Sequence, residues 1–217
     1  MGSDHVNDDQ AVIPVFLVPT PDGARYALAS GARDARRGVL LGLLRGGAQR
    51  PVPLGEVAEW ADLPDRRSAG ALVFKMQREA LISGETQPLS LPASPRRASV
   101  SRSLAELAGD GAAVLGEGDG LCLAHSGLSR PDAERIAALS AALYPLYRRQ
   151  RWSATGDDAF VLSQWRLVAD DGRTLVVRHL RLGRHLFHLA AVASDERGDV
   201  SLVRLAALMS RWCLGTC

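Results

Sequence analysis

Cysteine is scarce in this chain of 217 residues, which holds only Cys122, Cys213 and Cys217. An odd number of cysteines without a C-x-x-C pair argues against a disulfide framework and against a zinc knuckle. Such sparse cysteine usage fits a reducing compartment. We therefore expect the protein to be cytoplasmic.

Lysine is almost absent: Lys75 is the one lysine among the 26 basic residues. Arginine binds phosphate and carboxylate groups through two parallel hydrogen bonds, so selection for such contacts is one explanation. The arginines are spread over the whole chain, however, which favours the coding bias of a GC-rich bacterial genome. The net charge of +2 argues neither for nor against nucleic acid as a partner.

Long apolar runs are also missing, since no stretch approaches the roughly 18 residues that a membrane-spanning helix needs. The first residues include Asp4, Asp8 and Asp9, which is wrong for a signal peptide. With 47% hydrophobic and 23% charged residues, the composition is ordinary for a soluble globular protein. The sequence predicts a soluble protein with no membrane insertion.

A catalytic constellation is lacking as well. His125 has no nearby cysteine or carboxylate that would complete a set of nucleophile, base and orienting group. His179, His185 and His188 are close in sequence. Strand alternation points His185 and His188 to opposite faces, which disfavours a three-histidine zinc site. No GxxxxGK[ST] phosphate-binding loop occurs, so we expect no enzymatic activity, no metal site and no cofactor.

The N-terminal third changes from extended to helical periodicity at about residue 34. Residues 1–10 are predicted to be disordered, and residues 11–34 to form a hairpin extension around Pro21-Asp22-Gly23. Residues 35–92 are predicted to form a helical domain that ends in a short hairpin at Leu81–Leu91. Its three helices are predicted at about Arg36–Leu44, Leu54–Trp60 and Arg66–Ala80.

Three short helices with a tight turn at Leu63-Pro64-Asp65, followed by a hairpin, resemble a winged helix-turn-helix domain. In such domains the third helix enters the major groove of DNA. The solvent face of that helix carries the candidate DNA contacts, which are Arg66, Arg67, Lys75 and Arg78. The predicted wing carries Glu85 and no basic residue, and winged-helix domains also dock proteins. DNA binding and protein docking therefore stay open as alternatives.

The C-terminal half follows a predicted linker at residues 93–99 and extends over residues 100–217. A short helix precedes two apolar strands that are joined through Gly118-Asp119-Gly120, which is strong hairpin chemistry. Pro131-Asp132 then begins a long amphipathic helix. Its apolar stripe is predicted to be buried, and consists of Ile136, Leu139, Ala142 or Leu143, and Leu146 or Tyr147. Three further strands and a final helix complete the chain.

The order helix, two strands, helix, three strands, helix resembles the roadblock/LC7 family over about Val100–Cys213. The matching segments are Gly118-Asp119-Gly120, Ala124-His125-Ser126-Gly127, Ile136–Leu146, the three late strands and the final helix. Members of that family are non-catalytic, typically dimerise through the central helix and the third strand, and often serve as platforms or regulators for small Ras-like GTPases. The resemblance implies a homodimer. The residues expected at its interface are Ile136, Leu139, Leu143, Leu146, Tyr147 and Phe160.

The predicted fold class is α+β, with an N-terminal winged-helix-like helical domain and a C-terminal five-stranded antiparallel sheet with helices. The predicted function is that of a non-enzymatic dimeric regulatory protein that joins a dimerisation platform to a DNA-binding module. The alternative is a regulator or scaffold for a small Ras-like GTPase or another protein complex, in which the winged helix docks protein.

Overall fold

The computed structural model describes residues 15–91, 97–149, 164–168, 174–192 and 200–214. Its N-terminal part contains two strands and four α-helices. They are β1 (Phe16–Pro19), α1 (Pro21–Ala29), α2 (Ala35–Arg45), α3 (Leu54–Ala61), α4 (Arg66–Arg78) and β2 (Ile82–Glu85). The predicted disordered residues 1–10 lie outside the described residues.

The C-terminal part contains three helices and five strands. They are α5 (Arg97–Ala108), β3 (Ala112–Glu117), β4 (Cys122–Ser126), α6 (Arg130–Arg149), β5 (Gln164–Val168), β6 (Thr174–Leu182), β7 (His185–Val192) and α7 (Val200–Leu214). Of the predicted linker, residues 93–96 lie outside the described residues and residues 97–99 belong to α5.

The five strands form one antiparallel sheet in the order β4-β3-β7-β6-β5. This confirms the predicted α+β class and the predicted five-stranded antiparallel sheet. The turn between β3 and β4 is built as the sequence predicts. The carboxylate of Asp119 accepts a hydrogen bond from the Leu121 amide at 3.0 Å, and Gly120 has a φ of 93°, which glycine adopts at little cost.

The predicted N-terminal hairpin is wrong. Residues Pro21–Ala29 form α1 instead of a second strand, and β1 pairs with the distant strand β2. Thr20 caps α1, because its hydroxyl accepts a hydrogen bond from the Gly23 amide at 3.0 Å, and Pro21 occupies the first turn. Threonine followed by proline is a helix start, so Pro21-Asp22-Gly23 is the first turn of a helix and not a β-turn.

The predicted hairpin at Leu81–Leu91 is also wrong. β2 takes β1 as its antiparallel partner, with Phe16 opposite Glu85, and residues 86–91 form no strand. The three preceding helices do lie where the periodicity predicts them. Asp34 caps α2 and Asp65 caps α4, since each carboxylate accepts a hydrogen bond from an amide three residues later.

The apolar core runs from the N-terminal part into the C-terminal part without interruption. α5 and α7 pack on one face of the sheet, and α1 and α2 pack in turn on α7. One cluster of buried side chains includes Leu28 and Leu40 from the N-terminal part together with Leu104, Leu205 and Met209. α7 therefore contacts both parts of the molecule and is buried around most of its circumference.

The opposite face of the sheet carries α6. The prediction that the apolar stripe of this helix is buried is wrong. Leu139 and Leu146 are 43% and 57% exposed, and Ile136 and Leu143 are half-buried. The fully buried residues of α6 are small, namely Ala133, Ala137 and Ser140. They allow a close approach, because a Cβ on Gly116 of β3 would lie 3.0 Å from the Cβ of Ala137.

Candidate functional site

Two exposed surfaces and one buried polar cluster stand out among the described residues. The α4 surface consists of Arg66, Arg67, Phe74, Lys75 and Arg78. The α6 surface consists of Ile136, Leu139, Leu143 and Leu146, together with Trp165, Leu167 and Leu175 on the sheet. The buried cluster consists of Tyr144, His179, Arg181 and His188.

The α4 surface lies opposite the side of the helix that packs on the protein. Ala69 and Met76 are the buried residues of α4, and at 100° per residue the face opposite them carries Arg67, Ala71, Phe74 and Arg78. All four predicted DNA contacts, Arg66, Arg67, Lys75 and Arg78, are exposed. The helix thus presents every basic residue that the sequence predicts.

Phe74 is the member of the α4 surface that the sequence analysis missed. It is 63% exposed and lies one turn before Arg78 and two turns after Arg67. A helical wheel centred on the buried residues would have found it, because it falls between the charged positions and not among the apolar ones. An aromatic ring of this size in water is a candidate contact for a partner.

The start of α4 also carries one negative charge. The Asp65 carboxylate accepts a hydrogen bond from the Ser68 amide at 2.7 Å, and this bond lowers the pKa of Asp65. Arg66 extends toward α3, where a Cβ on Gly55 would lie 3.4 Å from its Nε. The positive charge of the α4 surface is therefore strongest from Arg67 to Arg78.

The α6 surface is an apolar area that continues from a helix onto a sheet. α6 packs over β4, β3 and β7, which are the first three strands in the order of the sheet. β6 and β5 are the last two strands in that order. Trp165 pairs with Val177 and Leu167 pairs with Leu175 across these two strands. Val177 and Trp165 pack with the residues under α6, so Leu167, which is 43% exposed, points to the same side as α6.

Of the six residues predicted for a dimer interface, four belong to the α6 surface as apolar side chains that are exposed or half-buried. Tyr147 lies in α6, and Phe160 lies outside the described residues. Among the described strands, β5 is the last in the order β4-β3-β7-β6-β5. The structure thus leaves open to solvent the leucines that the sequence analysis predicts to be covered.

The buried cluster lies under the C-terminal part of α6. His179 on β6 and His188 on β7 are directly opposite each other, and their Nδ1 atoms are 2.8 Å apart. Both rings are buried, and the ring of Tyr144 from α6 packs against them at centroid distances of 4.6 and 5.6 Å. Arg181 donates a hydrogen bond to the hydroxyl of Tyr144.

Burial lowers the pKa of both histidines. The pKa of His179 is lowered to about 4, chiefly by burial and to a smaller extent by the nearby His188 and Arg181. Burial also lowers the pKa of His188, while the backbone of Gly118 acts in the opposite direction. The bond between the two Nδ1 atoms requires one lone pair, so two protonated rings could not form it.

The sequence pattern predicts only that His185 and His188 point to opposite faces of a strand, and the structure places His188 against His179. The sequence did contain a signal, since a two-residue turn at Gly183-Arg184 pairs His185 with Leu182. Three residues further along each strand, the same register pairs His188 with His179. Among the described residues no group of three or more histidine, cysteine or acidic side chains is placed to hold a metal ion.

Comparison with known proteins gives matches to the C-terminal part of the chain. A roadblock/LC7 domain from Streptomyces avermitilis is 22% identical, covers 54% of this chain and 98% of its own, and superposes with a TM-score of 0.39. MglB from Myxococcus xanthus is 16% identical over 56% of this chain and 90% of its own, with a TM-score of 0.33. A gliding protein MglB from Thermus thermophilus is 21% identical over 56% and 89%, with a TM-score of 0.32.

The chain matches no protein-family model. It also matches no curated protein sequence. In the part of the chain that the structure describes, no helix is both long enough and apolar enough to span a membrane.

Proposed function

We propose that this chain is a non-enzymatic regulatory protein that self-associates through the α6 surface. The observation that supports this most directly is the apolar area that α6 leaves open beside β6 and β5. A surface of this kind on a soluble protein marks an interaction site. A two-fold axis would place the α6 surface of one copy against that of another, as in most homodimers.

The apolar side chains of this surface supply a driving force for association. Each large apolar side chain contributes about 1.5–3 kcal/mol when it is moved fully out of water, and the α6 surface has seven. They are already partly covered, so only a fraction of that energy remains. Two copies contribute equally, which gives a sum that can exceed the 4–15 kcal/mol or more that association costs.

Introducing a charge at Leu139 is expected to abolish self-association. We expect the unmodified protein to have twice the 23.2 kDa mass of one chain by light scattering at micromolar concentration, and Leu139→Asp to have the mass of one chain. An unpaired carboxylate in an apolar interface is costly. Leu139 is 43% exposed, so the isolated fold should tolerate the change, with an unaltered circular dichroism spectrum.

Leu54→Asp is the matched control for this experiment. Leu54 is 41% exposed and lies on α3, so the same change of charge and size occurs away from the α6 surface. The control variant should keep the mass of the unmodified protein. A wild-type protein with the mass of one chain across the micromolar range would overturn the proposal.

A second function is favoured by the α4 surface, which we propose binds DNA. The observation is the concentration of positive charge on an exposed helix that follows a tight turn, since residues 66–78 include four basic residues and no acidic residue. Arginines at the N-terminus of such a helix can bind guanine with two hydrogen bonds, and basic side chains further along it can contact phosphates.

Binding of DNA is expected to weaken steeply with salt, because phosphate contacts release counterions. Arg66→Ala and Arg67→Ala should each cost roughly 1–3 kcal/mol and relax sequence preference, whereas Lys75→Ala and Arg78→Ala should weaken binding to all sequences alike. Fluorescence anisotropy with fragments of the upstream region of the gene, and with a random duplex, measures both effects.

The matched control is the double variant Arg130→Ala/Arg135→Ala, compared with Arg66→Ala/Arg67→Ala. Arg130 and Arg135 are exposed near the start of α6 and form ion pairs within that helix. Each double variant removes two arginines, so the change in net charge is the same in both. Absence of binding at about 50 mM salt, or equal binding by the variant in which Arg66, Arg67, Lys75 and Arg78 are all replaced by alanine, would assign the α4 surface to protein docking.

The alternative proposal is that the partner is a small Ras-like GTPase. This alternative is based on the resemblance of the sequence to the roadblock/LC7 family.

A further inference from the structure

The face of α4 that points away from the protein combines positive charge with one apolar ring. Arg67, Gly70, Ala71 and Phe74 follow the spacing i, i+3, i+4 and i+7, so they lie on one face of the helix. This face lies opposite the buried residues of the helix. Phe74 is 63% exposed, so packing against the described part of the chain covers only the smaller part of its ring.

The two small residues on this face leave the surface of the helix recessed beside the ring. A Cβ built on Gly70 would have Cδ1 of Leu54 as its nearest neighbour, at 3.6 Å, which is an ordinary contact. The position therefore has room for a side chain, although glycine lowers the stability of a helix. Ala71 adds a single methyl group. A helix with this recess can bring its backbone close to the floor of a groove.

Duplex DNA offers one kind of apolar partner to a ring on such a helix. The faces of the bases are stacked on each other, and the base edges in the major groove carry hydrogen-bond donors and acceptors together with the C5-methyl group of thymine. Phenylalanine is among the side chains that contact this methyl group. On a helix that lies in the major groove, the ring of Phe74 is therefore complementary to thymine.

The position of the ring along α4 predicts where that thymine lies. Arg67 is in the first turn of the helix, where an arginine can bind guanine with two hydrogen bonds. Phe74 follows Arg67 by two helical turns, about 11 Å, which is close to the rise of about three base pairs at roughly 3.4 Å each. Lys75 and Arg78 are exposed near the ring, so they can contact phosphates beside that base pair.

We propose that Phe74 determines the sequence specificity of α4 by packing its ring on the C5-methyl group of a thymine, about three base pairs from the guanine bound by Arg67. Gly70 and Ala71 lie between the two contacts and allow the helix backbone to approach the base edges. This inference rests on the DNA binding proposed above, and it names the base that this binding selects.

Replacing thymine by uracil tests the contact, because uracil lacks the methyl group and keeps the hydrogen-bonding groups of thymine. The preferred duplex is first selected with the unmodified protein from a pool that is randomised over about 20 base pairs, two turns of DNA. In that duplex, replacing the thymine about three base pairs from a guanine should lower the affinity about four-fold, the effect of one buried methyl group. Fluorescence anisotropy measures both affinities.

Phe74→Ala should bind the thymine and the uracil duplex with equal affinity. Phe74 is 63% exposed, so the variant should keep the circular dichroism spectrum of the unmodified protein. Leu121→Ala is the matched control, because Leu121 is 60% exposed and lies between β3 and β4. The control should retain the difference between the two duplexes.

Gly70→Leu tests the close approach of the helix. The added side chain occupies the recess and should weaken binding to both duplexes, with an unaltered circular dichroism spectrum, because it holds the backbone away from the base edges. Binding by Gly70→Leu that is as tight as that of the unmodified protein would contradict the proposal.

The remaining outcomes separate this inference from the proposed function. If the protein binds the duplex but does not distinguish thymine from uracil, or if Phe74→Ala retains the difference, the inference is wrong and DNA binding stands. Tighter binding to single-stranded DNA than to any duplex would also overturn the inference, because the ring then stacks on an unpaired base. If no DNA is bound at about 50 mM salt, the proposed DNA binding is wrong, and so is this inference.

Discussion

Replacing Leu40 by alanine is expected to destabilise the C-terminal sheet as much as the N-terminal helices. Leu40 is fully buried in α2, and it belongs to the same apolar cluster as Leu205 of α7 and Leu189 of β7. Removing a buried leucine side chain typically costs about 2–5 kcal/mol, from lost transfer energy and from the cavity. α1 and α2 cover α7, and α7 itself packs on the sheet. The substitution should therefore lower the free energy of unfolding of the whole described core.

Hydrogen exchange followed by mass spectrometry is the measurement. In Leu40→Ala the slowest amides of α2, α7 and β3 should lose protection by the same free energy, since they open in one cooperative unit. The reciprocal variant Leu205→Ala should give the same pattern. Leu54→Ala, at a position that is 41% exposed and outside the α6 surface, is the control and should change little. Loss of protection confined to residues 15–91 would show that the two parts unfold separately.

Acidification is expected to destabilise the fold through His179 and His188. An unfolded histidine has a pKa of about 6.5, and that of His179 in the fold is about 4. Between these values the unfolded chain binds more protons than the folded one, so stability is fully present above about pH 6.5 and is lost as the pH falls toward 4. The loss from His179 alone is about 2 kcal/mol at pH 5, and His188 adds to it in the same direction.

The consequence should extend to α6, because Tyr144 of that helix packs on both rings and accepts a hydrogen bond from Arg181. Urea unfolding at pH 8 and at pH 5 measures the effect, and the double variant His179→Leu/His188→Leu should lose most of the difference. The control His185→Gln alters a half-buried histidine on the same strand as His188 and should retain it. Equal pH dependence in the wild-type protein and in the double variant would refute the assignment.

Local chemistry made several parts of the fold predictable. Asp34 and Asp65 cap their helices by hydrogen bonds to amides three residues away, and Asp119 closes the β3–β4 turn onto Leu121. Each of these interactions needs only neighbours in sequence, so their positions can be identified without knowledge of the rest of the molecule. The basic residues of α4 were found for the same reason, since a helical period alone separates the buried side from the exposed one.

Interactions between distant residues could not be predicted in this way. The partner of β1 is a strand more than sixty residues later, and the sequence around Pro21 is compatible with a turn or a helix start until that partner is known. The contact of His179 with His188 depends on the register of two strands, which the length of the turn at Gly183 determines. Which side of α6 is buried depends on the small residues Gly116 and Ala137, because they permit an approach that leucines would prevent.

The sequence by itself therefore determined the types and approximate limits of most elements, the turn chemistry and the charge of α4, because these depend on neighbouring residues and on periodicity. Tertiary structure alone decided that the leucines of α6 face solvent, that two histidines are buried together, and that α7 joins both parts in one core. The physical reason is that the burial of a side chain depends on the surface of the element that packs against it, and not only on its own element. A helix with two apolar sides, such as α6, has its inner side selected by the shape of the sheet it meets.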